Sequence, residues 1–303
     1  MTAKNSSIVP FPFAFPPQAG SSHAPVWTGG GFRIGDRETA ILSYEVGESG
    51  WTDELTGFHN DTSGEDHYIE RASRRHTLTQ LRRWLVNGQP VIMDIGCSTG
   101  LTLKSLRREF PNAALMGADY VYGLLEALAQ NLEGVPLLQF DLTTCPLPDK
   151  SIDAIVLLNV LEHIERDDAA LAHVARILKP DGIAILEVPA GPALYDVYDK
   201  VWLHHRRYSM REFLGKISSA GLQVLERSHL GFFLYPAFCV VKKRNQRYMD
   251  QSLEIQTQIV SRTITTARSH PLLHRLMEVE AHLRKLVYYP IGIRCLVTCR
   301  PAK

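Results

Sequence analysis

Ten residues constrain this chain more than any others: Val91-Ile92-Met93-Asp94-Ile95-Gly96-Cys97-Ser98-Thr99-Gly100. Val91 to Ile95 is a short, mostly apolar run with β-branched residues. It follows the turn-like cluster Asn87-Gly88-Gln89-Pro90, so it reads as a buried strand. Gly96 and Gly100 bracket a tight turn, and Leu101 to Phe110 has the apolar spacing of a helix. A glycine turn between strand and helix lets a ligand approach the backbone closely and sets it near the positive end of the helix dipole. Ser98 stands where the dinucleotide pattern Gly-x-Gly-x-x-Gly needs its second glycine, so that pattern is not met.

The rest of the chain can support a sizeable core around that turn. Its 303 residues suffice for one large domain with extensions or two small ones. Lys plus Arg, 33, nearly cancels Asp plus Glu, 32, which gives no global field to attract nucleic acid. The five cysteines, Cys97, Cys145, Cys239, Cys295 and Cys299, include no Cys-x-x-Cys pair, which favours reduced thiols in a cytoplasmic protein over disulfides or a zinc site. The longest apolar run, Leu230 to Val241, contains Pro236 and is too short to span a bilayer.

In chain order, residues 1–33 are rich in Pro, Gly, Ser and Phe and read as a mobile or extended arm. Residues 34–88 form a cap or lid segment, with Tyr44, Trp51 and Phe58 followed by a helix over His67 to Asn87. The arginines of that helix are a solvated face or a lid that holds an anionic group. After the glycine turn, a second strand ends at Asp119-Tyr120. Its acid stands about twenty residues on, where nucleotide-binding βαβ units place a carboxylate for ribose hydroxyls. A helix over Tyr122 to Asn131 leads to a third strand, Pro136 to Phe140, which ends at Asp141-Leu142. Ile152 to Leu158 is a buried strand, Arg166 to Leu178 a helix broken by the turn Lys179-Pro180-Asp181-Gly182, and Ile183 to Val188 a fifth strand.

Asp94 with Gly96-x-x-x-Gly100, Pro148-Asp149-x-Ser151-Ile152-Asp153, Leu161-Glu162-His163-Ile164 and Leu178-Lys179-Pro180-Asp181-Gly182 together resemble the class I S-adenosylmethionine-dependent methyltransferases. The likeness covers roughly Arg74 to Leu230. It implies an α/β fold, a doubly wound seven-stranded Rossmann-like sheet whose last strand is antiparallel, over residues 89–303 with a helical insertion near 242–288. It implies S-adenosyl-L-methionine as cofactor, held at Asp94, Gly96, Cys97, Ser98 and Gly100. Ribose contacts would come from Asp119 beside Tyr120 and adenine contacts from Asp141 and Leu142, with Asn159 beside the methionine moiety. Ser98 in place of glycine is a departure at the backbone path.

Asp199-x-x-x-x-His204-His205-Arg206-Arg207-Tyr208 resembles the His-x-Arg-Arg-Tyr segment of a bacterial subgroup linked to surface-sugar and polyketide pathways. Either Arg206 and Tyr208 only pin the loop, or His204 or His205 is a base facing the acceptor, since an imidazole near its own pKa can take a hydroxyl proton. His163 has a structural or cofactor-orienting role, with a basic role as the alternative. Ile293 to Cys299 reads as a strand that resembles the closing strand of methyltransferase sheets, which places Cys295 and Cys299 on one face as core residues rather than metal ligands.

The expected activity is methyl transfer to a small-molecule, sugar or lipid-linked glycan acceptor, at oxygen. A nicotinamide-dependent oxidoreductase and a catalytically silent scaffold are the rivals. Nucleic acid is disfavoured because Asn159-Val160-Leu161-Glu162 replaces an Asn-Pro-Pro-Tyr-type step. Lys242 to Arg247 and the amphipathic Leu272 to Val287 are surfaces for packing on the domain, for a dimer, or for peripheral membrane contact. The sequence leaves the oligomeric state open.

Overall fold

The structure, a computed structural model, describes residues 11–47, 55, 67–85, 88–267, 271–284 and 287–303. Trp51 and Phe58 lie outside the described residues, as do residues 1–10 of the expected arm. The strands in chain order are β1 (Val26–Trp27), β2 (Phe32–Ile34), β3 (Arg37–Thr39), β4 (Ile41–Ser43), β5 (Val91–Ile95), β6 (Ala114–Asp119), β7 (Leu137–Gln139), β8 (Ile152–Leu158), β9 (Leu178–Pro189), β10 (Leu222–Leu230) and β11 (Arg294–Pro301). The helices are α1 (Tyr68–Trp84), α2 (Leu101–Glu109), α3 (Tyr122–Ala129), α4 (Asp167–Ile177), α5 (Val197–Val201), α6 (Met210–Ser219), α7 (Tyr235–Asn245), α8 (Leu253–Ala267) and α9 (Pro271–Leu283).

The main sheet runs β10-β11-β9-β8-β5-β6-β7-β4. Every pair from β4 to β9 is parallel, while β11 is antiparallel to both β9 and β10. The run Val91 to Ile95 is apolar throughout because helices cover both faces: Val91, Met93 and Ile95 enter one core with α4 and α6, and Ile92 the other with α1, α2 and α3. From β5 the chain steps to β6 on one side, and β8 lies on the other. The carboxyl ends of β5 and β8 therefore open a crevice at the switch of strand order, where doubly wound sheets bind ligands.

Three expectations need correction. The sheet has eight strands among the described residues, because Ile41–Ser43 pairs in parallel with β7. Residues 11–33 pack rather than hang free: Phe15 is buried and meets Phe32 edge-on at 5.1 Å, with Phe11 and Phe13 against it. Lys179 to Gly182 is not a turn but the irregular start of β9, where Leu178 pairs with Ile152 before the register shifts. A side chain at Gly182 would sit 3.0 Å from the Ile152 and Asp153 carbonyls, so glycine permits this close approach.

The long apolar run divides in a similar way. Leu230 and Leu234 are buried with α9, Phe232 stacks on Tyr289, and Val240 stays 69% exposed on α7. Among the described residues, no helix is long and apolar enough to cross a membrane.

Candidate active site

The glycine turn is built to bend. Gly96 and Gly100 have φ of 76° and 73°, and Ser98 adopts a left-handed 47°. A Cβ on Gly96 would stand 2.4 Å from Val160 Cγ2, so both conformation and space demand glycine there. The turn's amides are already engaged within the protein. Gly96 and Cys97 N–H donate to the Ala118 carbonyl at 2.8 and 3.0 Å, and Ser98 N–H donates to Asp119 Oδ2 at 2.9 Å. The carboxylate thus holds Ser98, the one non-glycine residue of the turn with a positive φ, in its strained form. Asp119 Oδ1 also accepts from Val121 N–H at 3.0 Å.

One cavity of about 1260 Å³ runs over the carboxyl ends of β5, β6 and β8. Asp94, Gly96, Cys97, Ser98, Asp119, Tyr120, Asp141, Leu142 and Asn159 all line it, and Gly100 stands just behind the wall. Asp94 is 3% exposed, and its Oδ2 has no hydrogen-bond partner. Burial, with Asp119 beside it, pushes its carboxyl up to about 8. An orphaned acid on the cavity floor fits a ligand that brings a donor or cation. Asp141 Oδ1 takes both the N–H and hydroxyl of Thr143, at 2.7 and 2.8 Å. Asn159, with φ of 56°, is braced by Glu187: its side-chain amide donates to Oε1 at 3.0 Å. Tyr120 is turned to the N-terminal segment, where its hydroxyl donates to the Gly47 carbonyl at 2.6 Å. Cys97 is buried with its thiol pushed well up by burial and the nearby acids, so it serves as wall rather than nucleophile.

The three expected histidines line the same cavity. The His163 and His204 rings stand edge-to-face at 4.7 Å, and His205 N–H donates to the Glu162 carbonyl at 2.7 Å, which ties the loop after β9 to the turn after β8. Leu203, with φ of 57°, makes the bend that presents His204. His204 Nδ1 lies 2.8 Å from Asp199 Oδ1. Burial opposes charge on Asp199, but the hydrogen bond from His204 and the Lys242 and Arg207 cations hold its carboxyl below the usual range. Burial outweighs that bond for His204 and keeps the imidazole neutral to lower pH. The ionised acid therefore receives the proton on Nδ1, and Nε2 retains its lone pair.

Arg206 and Tyr208 pin the loop. Arg206 donates to the Ile164 and Glu165 carbonyls at 3.1 and 2.8 Å, and the Tyr208 hydroxyl donates to Asp167 at 2.8 Å. Of the arginines on α1, Arg74 lines the cavity, while Arg82 and Arg83 pair with Glu109 and Glu226.

Sequence reading missed the acids and cations behind the histidines. Lys242 from α7 reaches Asp196 and Asp199 at 2.6 and 3.0 Å, and Arg207 reaches Asp199 at 2.9 Å. Arg294 joins Glu187 and Glu70 at 2.5 Å each. Glu162, 0% exposed, leaves both carboxyl oxygens without a hydrogen-bond partner, and burial raises its pKa to about 8. Glu162, Asp199 and Arg207 stand in recognisable motifs, Asp199 five residues before His204 on a short helix with Asp196 as its cap, but their pairing and the part of Lys242 carry no local signal.

Residues 93–186 match the family model described as a methyltransferase domain. A malonyl-[acyl-carrier protein] O-methyltransferase of Halalkalibacterium halodurans is 27% identical over 138 residues, 42% of this chain and 51% of that protein. The chain spans 29%, 51% and 49% of the lengths of three curated relatives it matches. Among solved structures, the [4+2]-cyclase SpnF superposes with a TM-score of 0.54 at 19% identity, over 83% of this chain and 94% of that one. A phosphoethanolamine N-methyltransferase 2 of Haemonchus contortus in complex with S-adenosyl-L-methionine gives 0.52 at 13% identity, over 83% of this chain and 58% of that one.

Proposed function

We propose that this chain is a class I S-adenosylmethionine-dependent methyltransferase that methylates an oxygen of a small-molecule, sugar or lipid-linked glycan acceptor. A single observation carries this reading: one continuous cavity joins the carboxylates Asp119 and Asp141 to the imidazoles of His163, His204 and His205. The fold alone does not decide the reaction, since a cyclase shares it.

Asp119 keeps acceptor capacity for two ribose hydroxyls after serving Ser98 and Val121, because a carboxylate offers about four lone-pair sites. Asp141 Oδ2 receives the adenine amino group and Leu142 flanks the ring. Asp94 meets the amino end of the methionine moiety. When bound, the cofactor supplies an electrophilic methyl on a sulfonium. The protein aligns the acceptor oxygen for in-line attack, excludes water, and gives the hydroxyl proton a place to go at His204 or His205.

Calorimetry with S-adenosylmethionine and its demethylated product tests this directly. Low-micromolar binding of both, near −8 kcal/mol, is expected. No binding of either by folded protein removes the proposal.

A lipid-linked acceptor is favoured by the tail. Val240 and Val241 are 69% and 41% exposed on α7, next to Lys243 and Arg244, an arrangement suited to an anionic bilayer surface.

A further inference from the structure

Glu162 is a buried acid without its own counter-charge. The basic residues around it are committed elsewhere: Lys242 to Asp196 and Asp199, Arg207 to Asp199, Arg294 to Glu187 and Glu70. Neither oxygen of Glu162 has a hydrogen-bond partner, although the side chain lines the cavity. Such a group costs stability unless something fills its acceptor sites. Beside it stand two imidazoles. One ligand atom each from Glu162, His163 and His204 lies within 4.8 Å of the others.

We infer that Glu162, His163 and His204 form a binding site for a divalent transition-metal ion of the zinc class, at the acceptor end of the cavity. Two imidazoles and one carboxylate suit zinc, iron or cobalt, and are too rich in nitrogen for magnesium or calcium. The His204–Asp199 bond is the arrangement that orients a ligating histidine: the carboxylate takes Nδ1–H and leaves Nε2 for the metal. Lys242 and Arg207 in turn fix Asp199, so a segment far along the chain sets the aim of a ligand. Ligand atoms on one metal stand about 3.4 Å apart in a tetrahedron and at most about 4.2 Å, given bonds of about 2.1 Å. Side-chain shifts of about 1 Å close the triad. Positions not filled by the three residues face the cavity, as an open site requires.

The role in catalysis rests on the methyl-transfer reading, whereas metal binding does not. An acceptor hydroxyl bound there through oxygen has a lowered pKa and yields its proton to His205 or water. Its oxygen lone pair then attacks the sulfonium methyl, and the carbon–sulfur bond breaks with its electron pair going to sulfur. With His204 as ligand, His205 is the remaining imidazole for the proton.

The experiment uses the full chain stripped with chelator, dialysed, and titrated by calorimetry with Zn2+ alone and with Mg2+ alone. One Zn2+ per chain and no Mg2+ is expected, with a visible Co2+ absorption band for a four- or five-coordinate site. Glu162→Gln and His204→Ala abolish that binding, and Asp199→Asn weakens it by about 10–100-fold. Each variant is checked for S-adenosylmethionine affinity and melting, so loss of metal is separated from loss of fold. Wild-type protein that takes up less than about a tenth of an equivalent overturns the inference, as do variants that bind Zn2+ like the wild type. Zinc binding without cofactor binding refutes the methyl-transfer reading and leaves the metal site standing.

Discussion

Asp119 is the residue whose removal separates two functions held by one carboxylate. Its two oxygens accept from Ser98 and Val121 N–H at 2.9 and 3.0 Å in a site 8% exposed to solvent. The first bond holds Ser98 at φ 47°, and so shapes the turn on which the proposed cofactor would rest. Each hydrogen bond to a charged group is worth about 1.5–3 kcal/mol. Asp119→Ala loses the ribose bonds and relaxes the turn, so affinity for S-adenosylmethionine should fall by about 1–3 kcal/mol, roughly 5- to 150-fold. Asp119→Asn keeps one acceptor but turns an amide N–H toward backbone donors, so it should fall between alanine and wild type. Isothermal calorimetry with cofactor and with its demethylated product reads the affinity, and the melting temperature without ligand reads the turn. Unchanged affinity in a folded Asp119→Ala protein would refute the ribose assignment, and an unchanged melting temperature would refute the structural half.

Other perturbations test the scaffold and the surface. Gly100→Ala forces a left-handed alanine whose Cβ meets Leu128 Cδ1 at 2.5 Å. It should cost about 1–3 kcal/mol in urea unfolding, and a loss under about 0.5 kcal/mol would contradict the strain. Arg294→Met strands Glu187 and Glu70 beside the cavity, and a loss of about 3–5 kcal/mol should show as a lower melting temperature. Burial, with Arg284 next to it, pushes the His76 imidazole down to about 3 from 6.5. Its stabilising effect is therefore complete above 6.5 and falls as pH drops toward 3, by about 1.4 kcal/mol per pH unit. His76→Gln should flatten that slope between pH 6 and pH 4, roughly the middle of the window, and identical slopes would exclude His76 as its source. Flotation with anionic and neutral vesicles should show salt-sensitive binding to the anionic ones alone; protein that binds cofactor but floats with neither rules out the membrane surface.

What the sequence determined by itself was the glycine turn and the strand-end acids that line the cavity. Val91 to Gly100, Asp119 and Asp141 are signalled locally, by an apolar run, glycines at a turn and acids at strand ends, and those signals depend on no distant partner. Alternating strand and helix patterns marked the elements, while the parallel order and the antiparallel last strand were implied by the resemblance those motifs carry. Tertiary structure decided the rest. Ile41–Ser43 is too short to show a period, and becomes a strand only because β7 presents an unpaired edge. The phenylalanines near the N-terminus look like disorder until Phe32 gives them a surface. Glu162 is visible in the motif Leu161-Glu162-His163-Ile164, but its lack of a partner exists only once Lys242, Arg207 and Arg294 have chosen other acids. His204 was legible as a candidate base, but the group that orients it is Asp199, held by a lysine 43 residues further on. Periodicity and turn chemistry are properties of neighbours along the chain, whereas charge pairing in a buried site is settled by which distant residues the sheet brings together.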